Sequence, residues 1–185
     1  MRADARDNRE RILHAADEVF GSGGAAASTE EVARLAGVGI ATVFRHFPTK
    51  HDLLRAVLTA RLEGLRDRAR DLAQSAEPGP AFFDFFGEVV DGAGQKLSIA
   101  EALTDVGGDA EGAPTRAGEE MREAFGELLD RAQQAGAVRP DAAQPEVYAL
   151  MVGVSRATAH VPMSEAVKQR MVALALDGLR PPARP

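Results

Sequence analysis

Few side chains in this 185-residue chain are spaced for catalysis. The four histidines, His14, His46, His51 and His160, are scattered, and none has a partner three or four residues on that would form a metal pair on one helix face. Cysteine is absent, which excludes disulfides and thiolate metal sites. No Ser, Thr or Lys stands in a nucleophile motif, and no glycine loop follows a strand to cradle phosphate. Acidic pairs such as Glu119-Glu120 read as solvated helix surface. Neither an enzyme nor a cofactor is expected. The chemistry that remains is hydrogen-bond donation from residues 28–50, STEEVARLAGVGIATVFRHFPTK. Of its two arginines, Arg45 in the second half has the donor geometry to pair with guanine O6 and N7, a contact worth about 1–3 kcal/mol of discrimination. A helix that reads bases needs short or flexible side chains near its N-terminus, with donors beside them to hold phosphates.

The same segment spells out the elements that would position those groups. Ser28 followed by Glu31 is a capping box, which opens a helix carrying Val32, Leu35 and Ala36 on one face. Gly37 stops it by supplying a positive φ. A second helix runs from about 40 to 47 until Pro48 ends it. Two short helices across a glycine turn form a helix-turn-helix, a unit that can set its second helix in the DNA major groove. An earlier helix over about 7–20 presents Ile12, Ala16, Val19 and Phe20 as an apolar stripe to cover the pair. Beyond Pro48, Thr49 can cap a long helix to about residue 74.

Taken together, RERILHAADEVF, GGAAASTEEVARLAGV and GIATVFRHFPTKHDLL resemble the front of the TetR family of transcriptional regulators. The match covers roughly the first third of the chain. It includes the order of elements, the AGV turn, the T-x-aromatic-x-H-F core of the recognition helix and the lysine past the proline. The resemblance implies that Ile40, Ala41 and Arg45 face the groove. It implies that Thr42, His46 and Lys50 grip the backbone, with Thr29 doing so from the first helix of the pair. Ile40 and Ala41 offer only apolar contacts, such as to a thymine methyl. Three positions depart from the family pattern. Phe44 replaces a tyrosine and lacks the hydroxyl that would donate to phosphate. Gly39 replaces a Ser-like cap at a cost of only a few tenths of a kcal/mol. Glu30 puts an anion beside Thr29, near the expected phosphate path. An arm bearing Arg2, Arg6 and Arg9 offers either further phosphate contacts or disordered, solvated charge.

The rest of the chain reads as all-α, about nine helices in all, with no alternating strand pattern and no repeat. The expected organisation is a three-helix DNA-binding head over 1–48, a ligand-binding and dimerisation body over 49–179, and a disordered tail over 180–185. Residues 106–115 form the least structured part of the body. Phe82, Phe86 and Val89 from one helix, with Met121 and Phe125 from another, line either an apolar cavity or a filled core. Small residues in the penultimate helix (Gly153, Ser155, Ala157, Ala159) permit close approach of a partner helix. By the resemblance, the last two helices pack against a second copy as a homodimer, and an unidentified small-molecule effector binds in the body.

The net charge of −6 does not veto a DNA operator as the partner. Residues 1–60 carry eight basic and eight acidic side chains, whereas residues 61–185 carry fourteen and twenty. The acidity sits away from the head, where the local field decides docking. No run of about 18 apolar residues suggests a membrane span, and no signal-peptide pattern opens the chain, so a cytoplasmic protein is expected. The functional expectation is a ligand-responsive repressor that binds a palindromic operator as a dimer. The competing expectation, motivated by Phe44 and Glu30, is a helical protein-interaction module whose head has lost DNA binding.

Overall fold

The computed structural model describes residues 2–107 and 116–182, with side chains from Arg6 onward. Among these residues the all-α architecture is observed: nine α-helices, one 3-10 turn and no strand. The front of the chain comprises α1 (Arg2–Gly23), the 3-10 turn Gly24–Ala26, α2 (Thr29–Ala36), α3 (Ile40–His46) and α4 (Lys50–Ala73). Then follow α5 (Pro78–Asp91), α6 (Ala93–Asp105), α7 (Arg116–Gln134), α8 (Gln144–His160) and α9 (Glu165–Leu179).

Local chemistry accounts for most of the boundaries. α1 starts well before residue 7, the predicted start, and Arg6 supports its early turns by pairing with Glu10 at 3.1 Å. Thr49 and Asp52 cap α4 reciprocally. The Thr49 N–H donates to Asp52 Oδ2 at 3.2 Å, and the Asp52 N–H donates to Thr49 Oγ1 at 3.0 Å. Pro78 opens α5, where a missing N–H costs nothing. Ser164 caps α9 by accepting from the Val167 N–H.

The described chain packs as two compact units. The first takes the residues up to Arg61 together with α6 from Gln95 on. Its core joins Ile12, Ala16 and Phe20 of α1 to Val32, Val43 and Phe47. Leu53, Leu54 and Val57 from α4 complete it, with Ile99, Ala102 and Leu103 from α6. Arg61 donates to both Asp17 carboxylate oxygens and to Gln95 Oε1, so α1, α4 and α6 share one polar tie. The packing therefore divides within α4, whereas the sequence predicts a boundary at residue 48. Pro48 breaks a helix without ending a core, because the apolar stripe beyond it still faces the head.

The second unit comprises residues 62–94 and the described residues from Arg116 on. Its core is aromatic, built on Phe82, Phe85, Phe86 and Phe125 with Leu128, Leu129 and Met151. Burying each such side chain contributes about 1.5–3 kcal/mol. Arg68 spans both oxygens of Glu88, and Arg66 reaches Glu120 at 2.7 Å, joining α4 to α5 and α7. Of the expected tail, Arg180 sits 5.0 Å over the Phe83 ring, while 183–185 lie outside the described residues. Of the expected loose segment at 106–115, residues 108–115 lie outside them too.

Candidate nucleic-acid interface

The capping box forms as the spacing predicts. The Glu31 N–H donates to Ser28 Oγ at 3.2 Å, and the Ser28 N–H donates to Glu31 Oε2 at 2.9 Å. Val32, Ala33 and Ala36 bury one face of α2. Leu35 does not join them: it is 44% exposed, because the face of α2 that packs runs through Ala33 instead. Gly37 ends the helix at φ 65° and ψ 37°, the left-handed region that strains any other residue. The Val38 N–H then closes back onto the Ala33 carbonyl at 3.0 Å.

This turn delivers α3 with a sharply divided surface. Val43 is fully buried and Phe47, its C-cap, nearly so, and together they anchor the helix to the first unit's core. The opposite side carries Ile40, Ala41, Phe44 and Arg45, all exposed. Positions i, i+1, i+4 and i+5 share one helical face, so the three residues predicted to meet the groove are brought together there with Phe44. Ile40 is 36% exposed and Phe44 42%, so the face is apolar at its start and cationic at its end. Thr42 and His46 flank it, half-buried. Gly39 caps the helix through its carbonyl alone, which accepts from the Thr42 N–H at 2.8 Å.

The residues predicted to grip phosphate are less uniform. Thr29 is buried in the first turn of α2, leaving little of it on the surface. Glu30 is exposed beside it. The Lys50 ammonium donates to the carbonyls of Ala27 at 2.8 Å and Ala25 at 3.1 Å, and stands 5.3 Å over the Phe20 ring. Two of its three donors thus pin the loop that enters α2. No local pattern could have shown this, since the acceptors are backbone atoms more than twenty residues upstream. Arg9 was also undervalued by the sequence: it belongs to a formed helix, with its guanidinium 5.3 Å from the Phe47 ring. The Arg6–Glu10 spacing was the available signal that the supposed arm is helical.

In the second unit the five residues assigned to a ligand site do lie in one cluster, with Val89 at its margin. Phe82, Phe86, Met121 and Phe125 are buried in contact with other side chains. The Phe125 ring centroid lies 6.0 Å from Phe82, 6.1 Å from Phe85 and 6.1 Å from Tyr148. The last two contacts were not anticipated, because they bring together α5, α7 and α8 across long stretches of chain. An open cleft of about 330 Å³ elsewhere in this unit is lined by Arg139, Asp141, Glu146, Leu150 and Leu179 and by none of the five. Among the described residues no group of three or more His, Asp or Glu side chains could hold a metal, and no helix is long and apolar enough to cross a membrane.

Comparison with known proteins agrees with this geometry at both ends of the chain. Residues 12–57 match the family model described as bacterial regulatory proteins, tetR family. Residues 77–181 match the model for the C-terminal domain of SbtR-like transcriptional regulators. A TetR transcription regulatory protein from Mycobacterium vanbaalenii is 38% identical, with a TM-score of 0.80 over 97% of this chain and 98% of that one. A TetR transcriptional regulator from Streptomyces coelicolor is 33% identical, with a TM-score of 0.79 over 95% of this chain and 99% of its own. The HTH-type transcriptional regulator UidR of Escherichia coli is 28% identical over 151 residues, 76% of this chain and 74% of UidR. With an exposed face on α3 and family likeness along both units, this chain is a helix-turn-helix regulator, not an enzyme, and it belongs to the TetR family of transcriptional regulators.

Proposed function

We propose that the chain is a ligand-responsive repressor that binds a palindromic operator as a homodimer. The observation that carries the reading is the exposed face of α3, held outward by Val43 and Phe47 on the other side. Arg45 reads a guanine edge, while Ile40 and Ala41 meet apolar groups in the groove. Thr42 and His46 hold the flanking phosphates, with Thr29 through the little of it that reaches the surface and Lys50 through its third donor. On this reading residues 1–48 are the DNA-contacting part and 49–179 the effector-binding and dimerising part.

Support for pairing comes from α8 and α9, which leave Leu150, Val161, Val167 and Leu174 exposed on or between them, Leu174 by 64%. In a dimer formed by covering these residues, each copy's α3 serves one of two half-sites, which helix-turn-helix dimers read about one turn of B-form DNA apart, roughly 34–36 Å. The effector site is proposed at Phe82, Phe86, Val89, Met121 and Phe125. Because those side chains pack closely, a ligand must displace rings to enter. It acts only if it prefers the displaced arrangement, since an effector shifts an equilibrium by its differential affinity.

Footprinting on the DNA upstream of the gene, combined with sedimentation equilibrium, tests the proposal. Two protected patches related by a dyad, produced by a dimer, are expected. A monomer at micromolar concentration, or uniform affinity for all duplexes, would overturn it and leave a helical interaction module as the better account.

A further inference from the structure

We propose that Arg9 is a phosphate-binding residue of the head. The inference rests on the DNA-binding reading of α3 and adds a residue from α1 to it. α1 runs from Arg2, so Arg9 stands on formed helix two turns inside its start. Its guanidinium carbon lies 5.3 Å from the ring centroid of Phe47. Phe47 is buried and directly follows α3, so the contact holds the cation beside the C-terminal end of the recognition helix. Cation–π attraction of this kind orients a guanidinium while leaving its N–H groups free to donate.

Charge placement at that end of α3 singles out the same residue. Arg9 is exposed and has no acidic partner among the described side chains, whereas Arg6 is paired with Glu10 at 3.1 Å. Arg11 donates to Asn8 Oδ1. Lys50 spends two of its donors on the Ala25 and Ala27 carbonyls. Phe44 has no donor, and Arg45 lies on the face turned to the bases. Arg9 is therefore a cation at the end of α3 with no donor committed to a described acceptor, and an Arg fork can take two phosphate oxygens at once.

The test is the salt dependence of operator binding by the full chain, read by fluorescence anisotropy for wild type, Arg9→Gln and Arg9→Lys. Loss of one phosphate contact lowers the slope of log K against log salt by about one unit per head. Arg9→Gln is expected to show that decrease, with affinity lowered equally for operator and unrelated duplexes, and Arg9→Lys to retain the wild-type slope. Neutral methylphosphonate links placed one at a time identify the partner: one position should weaken wild type yet leave Arg9→Gln unaffected. An unchanged slope in Arg9→Gln, or no such position, overturns the proposal even if the variant melts earlier through loss of the Phe47 contact. A wild type that prefers no duplex would sink the DNA-binding reading instead, so the two failures are distinct.

Discussion

Arg45, Glu30 and Lys50 show how differently three charged residues within one helix-turn-helix are employed. Arg45 is exposed on α3, where the proposed function has it read a base edge. Glu30 is exposed on α2, and on the proposed DNA-binding reading its carboxylate opposes nearby phosphate charge. Replacing it by Gln removes a repulsion of about 1 kcal/mol if the closest approach is near 4 Å in water. Glu30→Gln is therefore expected to tighten operator binding roughly fivefold at low salt, with the gain shrinking as ionic strength rises; a looser complex in an anisotropy titration would refute this. Lys50 is first a structural residue, because its ammonium holds two carbonyls of the loop before α2. Charged hydrogen bonds of this type contribute about 1.5–3 kcal/mol. Lys50→Met should lower the urea midpoint by a corresponding amount, and an unchanged midpoint would show that water satisfies those carbonyls equally well.

Among the elements, α2 and the turn after it were legible in the sequence because their causes are local. Ser28 and Glu31 sit three residues apart and cap each other, and only a glycine sits easily at the φ of 65° found at residue 37. Gly37→Ala meets no clash, since the nearest atom to the added carbon is an Arg11 nitrogen at 3.7 Å. Its cost is thus backbone strain alone, about 1–2 kcal/mol, with a fall in Tm of about 2–8 °C measured by circular dichroism. A Tm at or above wild type would mean that the turn relaxes. The exposed half of α3 was anticipated through the family resemblance, which put Ile40, Ala41 and Arg45 on it. α6 and the first half of α4 were not. Their apolar stripes show that they bury a face but cannot say against which element, and Ile99, Ala102 and Leu103 join a core begun some eighty residues earlier. Leu35 misled for a related reason: Val32, Ala33 and Ala36 already fill the packing face, so its helical spacing did not secure it a place there.

At the scale of the whole molecule, each unit has its own polar ties, and those of the second carry a pH dependence. Arg116 and Arg66 both donate to Glu120, at 2.7 Å each, and hold its carboxyl below the usual glutamate range. Arg68 does the same for Glu88, and Arg139 for Asp141. A carboxylate whose pKa is depressed by folding stabilises the fold at neutral pH and above its unfolded pKa. That contribution is lost as pH falls through the ordinary carboxylate range and below it. Tm should accordingly decline as pH is lowered from neutral through 4, and Glu120→Gln should lower Tm at pH 7 while flattening the decline. An identical pH profile in the variant would show that solvent screening leaves the Arg66–Glu120–Arg116 cluster without net effect. α4 contributes residues to both cores, Leu53, Leu54 and Val57 to one and Ala69 and Ala73 to the other.

The most direct check is to titrate the wild-type chain and Arg45→Ala against the duplex upstream of its gene and a scrambled duplex of equal length, at several salt concentrations. The wild type should prefer the upstream duplex by about 10³-fold or more, the usual lower range for a specific regulator. Arg45→Ala should lose roughly 10- to 100-fold of that preference while retaining its salt slope. Equal affinity for both duplexes, or a preference that survives intact in Arg45→Ala, would contradict the assignment of α3 as the helix that reads DNA.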